Sequence, residues 1–166
     1  MNIILRAVSA LILTISASLA AAQGASVPFG NIQQDSTIPI EIAADELTID
    51  QEDGAAVFIG NVTIGQGVMR LSAQQVRVEY TSEETGNGNI ARLVASGGVV
   101  LVNGAEAAEA QEAVYSVQDG LIVLTGSVLL SQGRNAPTAQ KMTLNLSTGN
   151  ARLEGGVKTI LNPGGN

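Results

Sequence analysis

The chain has 166 residues, of which 45% are apolar but only 2% aromatic, and its net charge is −7 at pH 7. It contains no Cys, His or Trp, which excludes His- or Cys-dependent nucleophilic sites, the usual zinc sites and disulfides. Nucleic acid is not expected as a partner, because phosphate binding depends on clustered cations and those here are scattered. The length suits one domain with its own core, and no residue pattern indicates a cofactor.

Residues 1–22 have the pattern of a secretory signal, with Arg6, an uncharged run and then small residues. The uncharged run is shorter than the roughly 20 residues that span a bilayer, and its small-residue end offers a cleavage site before Gln23. We therefore expect a soluble exported protein with a cleaved signal peptide. The alternative is a retained N-terminal membrane anchor.

Residues 23–37 mix Gly, Pro, Ser and amide side chains without apolar periodicity, which predicts a flexible N-terminal lead-in. From Ile38 onward the pattern changes, because Ile38, Ile40 and Ile42 alternate with other residues. This period of two is typical of a strand with one buried face. Pro39 indicates that the strand lies near a sheet edge.

The domain at residues 38–161 consists of four copies of one hairpin-like unit, followed by a short tail at 162–166. Each copy has a first segment that begins with Ala and a second segment centred on Gly. The second copy is longer because of a polar loop at 81–89. A single unit cannot bury its apolar face alone, so the four are expected to stack. The marker residues are Ala44, Ala73, Ala110 and Ala139, with Gly60, Gly97, Gly126 and Gly155.

In the second segments, residues at even offsets from the central glycine are mostly apolar, and those between them are mixed. This alternation predicts strands with one inner face. A glycine in mid-strand predicts a notch or bend there. Because no helical period is sustained after residue 38, we predict an all-β domain: an antiparallel, jelly-roll or barrel-like sheet of four stacked hairpin-like repeats, open at its ends.

The predicted interior is poor in aromatic residues, since only Phe58, Tyr80 and Tyr115 of the repeat region are available. Small aliphatic lining could leave an apolar slot, whereas the simpler interpretation is a packed core. The terminal strands of such a stack are expected to remain unpaired edges, which invite another β-domain. The predicted partner edge comprises Ile38, Ile40, Ile42, Val157, Thr159 and Leu161.

The segments IEIAADELTIDQEDGAAVFIGNVTIGQG, AVYSV and LIVLTGSVLLSQG resemble the OstA-like domain of the periplasmic lipopolysaccharide-transport family, most closely its soluble bridge component. The resemblance covers about residues 38–161. It implies a periplasmic β-jelly roll of a Gram-negative cell that holds the acyl chains of lipid A. It also implies edge-to-edge joining to the inner-membrane adaptor, to the outer-membrane translocon and to further copies of itself, head to tail.

The family's lipid-lining positions correspond by this resemblance to Ile40 and Ile42 in the first strand and to Tyr115 and Val117 in AVYSV. Inner-face positions of the repeats complete the predicted lipid-contacting set. They are Leu47, Ile49, Phe58, Val62, Val78, Leu101, Leu124, Val128 and Leu144.

The leading hypothesis is therefore a non-enzymatic lipopolysaccharide-binding transport module for outer-membrane biogenesis. Because the chain is acidic, we expect lipid head groups to stay in solvent near Arg70 or Arg77. Three alternatives stay open: a membrane-anchored adaptor of the same pathway, an exported β-repeat scaffold with a dry core, and a carboxylate-only glycan hydrolase or lyase. The absence of Trp argues against the last, because sugar subsites usually use aromatic platforms.

Overall fold

The computed structural model describes residues 24–29, 38–81 and 88–160. The predicted signal peptide (1–22) and the tail (162–166) lie outside these ranges. Within the described ranges, no helix is long and apolar enough to cross a membrane.

The described residues form ten β-strands and no helix, so the all-β prediction is confirmed. The five strands from β4 to β8 have at least eleven residues each, whereas those nearest the two ends are short. The strands are β1 (Ala25–Pro28), β2 (Glu41–Ala43), β3 (Glu46–Ile49), β4 (Ala56–Gln66), β5 (Met69–Tyr80), β6 (Ile90–Asn103), β7 (Glu106–Ser116), β8 (Leu121–Ser131), β9 (Thr138–Asn145) and β10 (Asn150–Glu154).

All ten strands belong to one antiparallel sheet with the order β1-β10-β9-β8-β7-β6-β5-β4-β2, and β3 also pairs with β4. From β4 to β10, strands that follow one another in sequence are neighbours in the sheet, as stacked hairpins require. At the N-terminal edge, β2 and β3 pair with different parts of β4: Ala43 lies opposite Thr63, and Leu47 lies opposite Phe58. Together they act as one bent edge strand.

The central glycine of each unit marks a β-bulge. All four of these glycines have φ between 80° and 85°, in the left-handed region that a side chain disfavours. The pairing register shifts after Ile59 in β4, after Ser96 in β6 and after Thr125 in β8. The bend predicted at mid-strand is therefore confirmed, since a bulge bends its strand and increases the local twist.

The Ala-Gln dipeptides of the first segments lie against these bulges. A Cβ placed on Gly126 would lie 2.7 Å from Gln111 Oε1 and 2.9 Å from Gln111 Cβ. At Gly155 the same atom would lie 2.9 Å from Gln140 Cβ. Since these distances are shorter than carbon contacts allow, the steric need for glycine opposite Ala-Gln explains the repeat signature.

The line of bulges divides the sheet into two halves that fold toward each other. The β3 half contains β1, β3, β10 and the parts of β4–β9 on the same side of the bulges. The β2 half contains β2, the other parts of β4–β9 and residues 156–160, where the backbones of Thr138 and Lys158 are hydrogen-bonded at 2.8 and 3.0 Å. Inner-face residues of both halves form one core. Of the residues two and four positions from the central glycines, only Phe58, Val157 and Thr159 are not buried.

The predicted flexible lead-in across 23–37 is wrong for Ala25–Pro28. These residues form β1, which pairs antiparallel with residues 150–153 of β10. The next residue, Phe29, has no exposed surface, and its N–H donates to the carbonyl of Gly149 at 2.8 Å. The physical reason is that a free sheet edge has unpaired backbone groups, and burying a Phe side chain adds roughly 2–3 kcal/mol. Within residues 24–29, 38–81 and 88–160, the sheet is open at its N-terminal edge and partly covered at its C-terminal edge.

Candidate functional site

Seven of the predicted lipid-contacting residues lie in a closed core and are at most 3% exposed. They come from both halves of the sheet and belong to one apolar cluster. The open slot that the sequence suggested is closed at these positions, and cargo could reach them only if the halves separated. The seven are Val62, Val78, Leu101, Tyr115, Leu124, Val128 and Leu144.

At the N-terminal end, the inner face is open to solvent. Leu47 and Ile49 of β3 lie opposite the inner-face residues Phe58 and Ala56, yet they are 54% and 50% exposed. The cause is position in the sheet, because β3 is a terminal strand and no other strand of the described residues covers it. Ile40, Ile42 and Phe58 are half-buried beside the core. We call these five residues, Ile40, Ile42, Leu47, Ile49 and Phe58, the N-terminal mouth.

The side of the fold opposite the bulges is a seam, where the strand ends of the two halves meet. Tyr115, near the end of β7, donates its hydroxyl proton to Gln66 Oε1, at the end of β4, at 2.9 Å. Gln66 Nε2 donates in turn to the carbonyl of Ile38 at 3.0 Å. Burial raises the pKa of the Tyr115 phenol, partly offset by this hydrogen bond. The neutral phenol thus ties the β3 half to the β2 half beside the N-terminal mouth. Val117, in the turn after β7, is half-buried on the same side.

Gln66 is one of three amides at the same position of the repeat, at or just after the ends of β4, β6 and β8; the others are Asn103 and Gln132. Gln132 Nε2 donates to the carbonyl of Pro28 at 2.7 Å and to Glu106 Oε1 at 2.8 Å. Among the described residues, Asn103 Oδ1 and Glu106 Oε2 are buried without a hydrogen-bond partner. Sequence reasoning missed this amide row. The sequence feature that marks it is a polar residue at an even offset from the central glycine, where the alternation predicts an inward-facing apolar residue.

At the C-terminal end, a hollow of about 150 Å³ lies beside the core. Its walls are mostly apolar and include Val27 of β1, Leu153 of β10 and Val157. The inner surface thus reaches both ends of the stack. The remaining lining residues are Ala25, Gln132, Asn135, Pro137 and Thr159.

The two predicted partner edges differ. Ile38, Ile40 and Ile42 lie along the N-terminal edge, where β2 pairs with β4 on one side only. At the other end, β1 pairs with residues 150–153 of β10, which precede the predicted edge residues. Val157 and Thr159 follow the last bulge, beyond the reach of β1, and Leu161 lies outside the described residues.

The cations expected near lipid head groups have different surroundings. Arg77 is hydrogen-bonded to Asp53 and to Asp50, the latter at 3.1 Å. The backbone N–H of Ala55 and the Arg77 guanidinium hold the pKa of Asp53 below its usual value. Arg77 is thus already neutralised by carboxylates, which disfavours it as a phosphate ligand.

Among the described residues, Arg70 donates only to backbone carbonyls, those of Gly67 and Met69, at 2.6 and 2.7 Å. It lines a hollow at the N-terminal edge of the sheet together with Ile38 and Glu41. Of the two arginines, Arg70 is therefore the one available to an anionic head group. No cluster of acidic side chains that could hold a metal ion occurs among the described residues.

Residues 41–150 match the family described as LptA/(LptD N-terminal domain) LPS transport protein. The chain belongs to this family of lipopolysaccharide transport proteins. An uncharacterised protein of Rhizobium meliloti is 34% identical over 122 residues, which is 71% of this chain and 66% of that protein. The lipopolysaccharide export system protein LptA of Escherichia coli K12 is 32% identical over 74 residues, 45% of this chain and 38% of LptA. The chain thus spans only part of the length of these relatives.

The fold also matches a solved structure of the family. The crystal structure of LptH from Pseudomonas aeruginosa, the LptA-homologous periplasmic component of a lipopolysaccharide transport device, superposes with a TM-score of 0.67. The match covers 78% of this chain and 99% of LptH at 18% sequence identity. At that identity the likeness concerns the fold, and it confirms the predicted β-jelly roll.

Proposed function

We propose that this protein binds lipopolysaccharide in the periplasm and shields its acyl chains between the two halves of the sheet. The observation that carries the proposal is the N-terminal mouth, where inner-face Leu47 and Ile49 are half exposed although most inner-face residues of the strands from β4 to β9 are buried. An exposed apolar surface continuous with a core is suited to a ligand with long apolar chains. The head group stays in solvent, and Arg70 is the proposed contact for its phosphates.

The energetics favour acyl chains as the cargo. Burying about a dozen CH₂ groups stabilises a complex by roughly 10 kcal/mol, at about 0.8 kcal/mol each. Parting the seam breaks the hydrogen bonds from Tyr115 to Gln66 and from Gln132 to Pro28, a net loss of about 1 kcal/mol each, together with contacts that the cargo replaces. Binding can therefore supply the free energy that opens the interior. No catalytic step is part of the proposed role.

A pair of β2 variants tests lipid binding. Ile42→Asp places a carboxylate on the inner face at the mouth, whereas Ala43→Asp places the same charge on the opposite face of the same strand. We expect Ile42→Asp to lower binding of fluorescent lipopolysaccharide about tenfold or more and Ala43→Asp to leave it near the wild-type value. Circular dichroism establishes that both variants are folded. Equal binding by both variants would contradict a binding site on the inner face.

The phase of the repeat supports the proposed assembly through the sheet edges. Along the sheet, strands that carry Ala-Gln or Ala-Asp alternate with strands that carry the glycine bulge. The N-terminal edge is an Ala-Asp strand, with Ala44 and Asp45 at its bend, and the C-terminal edge is a glycine strand, with Gly155 at its bend. Adding the N-terminal edge of one copy to the C-terminal edge of another would continue the alternation unbroken. Head-to-tail copies, and related β-domains of the inner-membrane adaptor and the outer-membrane translocon, are the proposed partners.

A second candidate is a structural β-repeat scaffold, favoured by the closed core, in which seven predicted lipid-contacting residues are at most 3% exposed. A scaffold would show no saturable uptake of lipopolysaccharide.

A third candidate function is a membrane-anchored adaptor of the same transport pathway. N-terminal sequencing of the exported protein distinguishes it, because the soluble form is expected to begin at Gln23.

A further inference from the structure

We propose that β1 together with Phe29 is a releasable cover of the C-terminal edge, which the N-terminal edge of a second copy displaces when copies assemble. The inference rests on the proposed head-to-tail assembly and adds the contact that controls it. The surface is the side of β10 that faces away from β9, together with the adjacent seam. β1 of the same chain occupies this surface.

β1 covers only part of the edge. It pairs with residues 150–153, and the bend at Gly155 and Gly156 follows. Beyond that bend, residues 157–159 belong to the β2 half, and the pairing of β1 ends before them. Pro28 is the last residue of β1 and has no N–H, so β1 itself is a poor template for another strand. The cover thus blocks strand addition along one half of the edge and leaves the other half accessible.

Release of β1 would open more than the edge. Phe29 is fully buried in the core, and the carbonyl of Pro28 bridges to Gln132 across the seam. Val27 forms a wall of the C-terminal hollow. The same short segment therefore closes the C-terminal edge, the nearby seam and the hollow. If an incoming copy removes it, pairing between copies and exposure of a continuous apolar path occur in one step.

Charge identifies the fitting partner as a second copy. Residues 38–55, which form the N-terminal edge and its turn, contain six carboxylates and no Lys or Arg. Residues 132–160, which flank the C-terminal edge, contain four Lys or Arg residues and one carboxylate. The two edges are thus electrostatically complementary as well as complementary in repeat phase. Opposite charge speeds and orients the encounter of two such surfaces.

The uncovered residues provide a starting point for exchange. An incoming β2 can first pair with residues 157–159, in the β2 half, where β1 does not reach. Its β3 can then replace β1 against residues 150–153, one backbone hydrogen bond at a time. This order keeps most backbone groups paired throughout, which avoids the loss that fully freeing β10 would bring.

A reversible lock tests the cover. Ser26 and Arg152 are directly opposite in the β1–β10 pair, and both are exposed. Directly paired antiparallel residues lie within disulfide range, and the chain has no native cysteine. In the double variant Ser26→Cys/Arg152→Cys, made in the full mature chain, oxidation should fix β1 on β10. We expect sedimentation velocity to show at least about tenfold weaker self-association of the oxidised form than of the same protein after reduction.

The reduced double variant is the matched control, because it differs from the oxidised form only in the disulfide. Equal association of the oxidised and reduced forms overturns the cover, while association itself still supports head-to-tail assembly. If no form associates, including the wild-type protein, both the cover and the proposed assembly are wrong. Binding of lipopolysaccharide by the wild-type monomer is measured separately, so failure of the assembly does not count against the proposed lipid binding.

Loosening the cover should have the opposite effect. Phe29→Ala removes the buried anchor of β1 but leaves the backbone pairing with β10 intact. We expect self-association to strengthen severalfold and limited proteolysis to cut the N-terminal segment sooner. A matched variant, Val68→Ala, removes an exposed apolar side chain of the β4–β5 turn and should change neither property. Unchanged association by folded Phe29→Ala would contradict a releasable cover.

Discussion

The bend at Gly126 gives the sharpest prediction, because backbone conformation and steric contact can be separated there. Gly126 and Gly98 have nearly the same φ, 85° and 87°. A Cβ on Gly126 would lie 2.9 Å from Gln111 Cβ, which is fixed to the backbone, whereas a Cβ on Gly98 would have no atom within 4 Å. A left-handed conformation costs a non-glycine residue roughly 1–2 kcal/mol, and overpacking adds about 1–3 kcal/mol. We expect Gly98→Ala to lower the free energy of unfolding by about 1–2 kcal/mol and Gly126→Ala by about 2–5 kcal/mol.

Urea unfolding followed by circular dichroism measures both values under the same conditions. The chain supports the milder value for Gly98, because Asn61 and Ser127 stand at the equivalent second position of their bends with φ of 46° and 51°. Gly126→Val, with a branched side chain, should be at least as destabilising as Gly126→Ala. If Gly126→Ala were no more destabilising than Gly98→Ala, the steric account of the repeat signature would be wrong.

Three further predictions concern the seam, a surface network and the C-terminal edge. Tyr115→Phe should lower the free energy of unfolding by about 1–2 kcal/mol, because it removes the buried hydrogen bond that Tyr115 donates to Gln66; unchanged stability in urea would argue against the seam hydrogen bond. The backbone N–H of Ala55 and the Arg77 guanidinium lower the pKa of Asp53 in the folded protein below the unfolded-state pKa of 3.8. The ionised Asp53 side chain therefore stabilises the fold fully above pH 3.8, and this stabilisation is lost as the pH falls through the lower folded-state pKa. The wild-type protein should therefore be more stable than Asp53→Asn at about pH 5, and the difference should shrink as the pH falls below the lowered folded-state pKa of Asp53; a constant difference would refute the linkage. Val157→Glu should weaken self-association in sedimentation experiments, with unchanged circular dichroism, because it puts an unpaired charge in the C-terminal hollow.

The repeat, the bends and the inner face could be predicted because they depend on local features that recur. The positive φ of the central position requires glycine, and the inner face requires an apolar residue at every second position, so the same sequence pattern recurs in each unit. The predicted jelly roll follows from these marks and from the family resemblance. The alternation also placed most core residues correctly, from Val62 in β4 to Leu144 in β9.

The features that the sequence did not indicate depend on contacts between distant segments. β1 is a short segment without apolar alternation, and it becomes a strand because β10 offers it a free edge. Likewise, Gln66 and Tyr115 are far apart in the chain and are joined only when the halves fold together. The exposure of Leu47 could not be predicted from its neighbours in sequence either. The alternation around Leu47 is that of a buried residue, and it is exposed because β3 is a terminal strand of the sheet.

The bends at the same height in successive strands have a consequence for how this architecture can vary. Every unit bends at its central glycine with the same backbone geometry. One unit therefore sets the cross-section of the domain, and the number of units sets the length of the domain. Inserting or deleting a pair of strands would lengthen or shorten the enclosed core without changing its cross-section. Designed chains with five or three units should therefore retain the same width, and their reach would scale with the count.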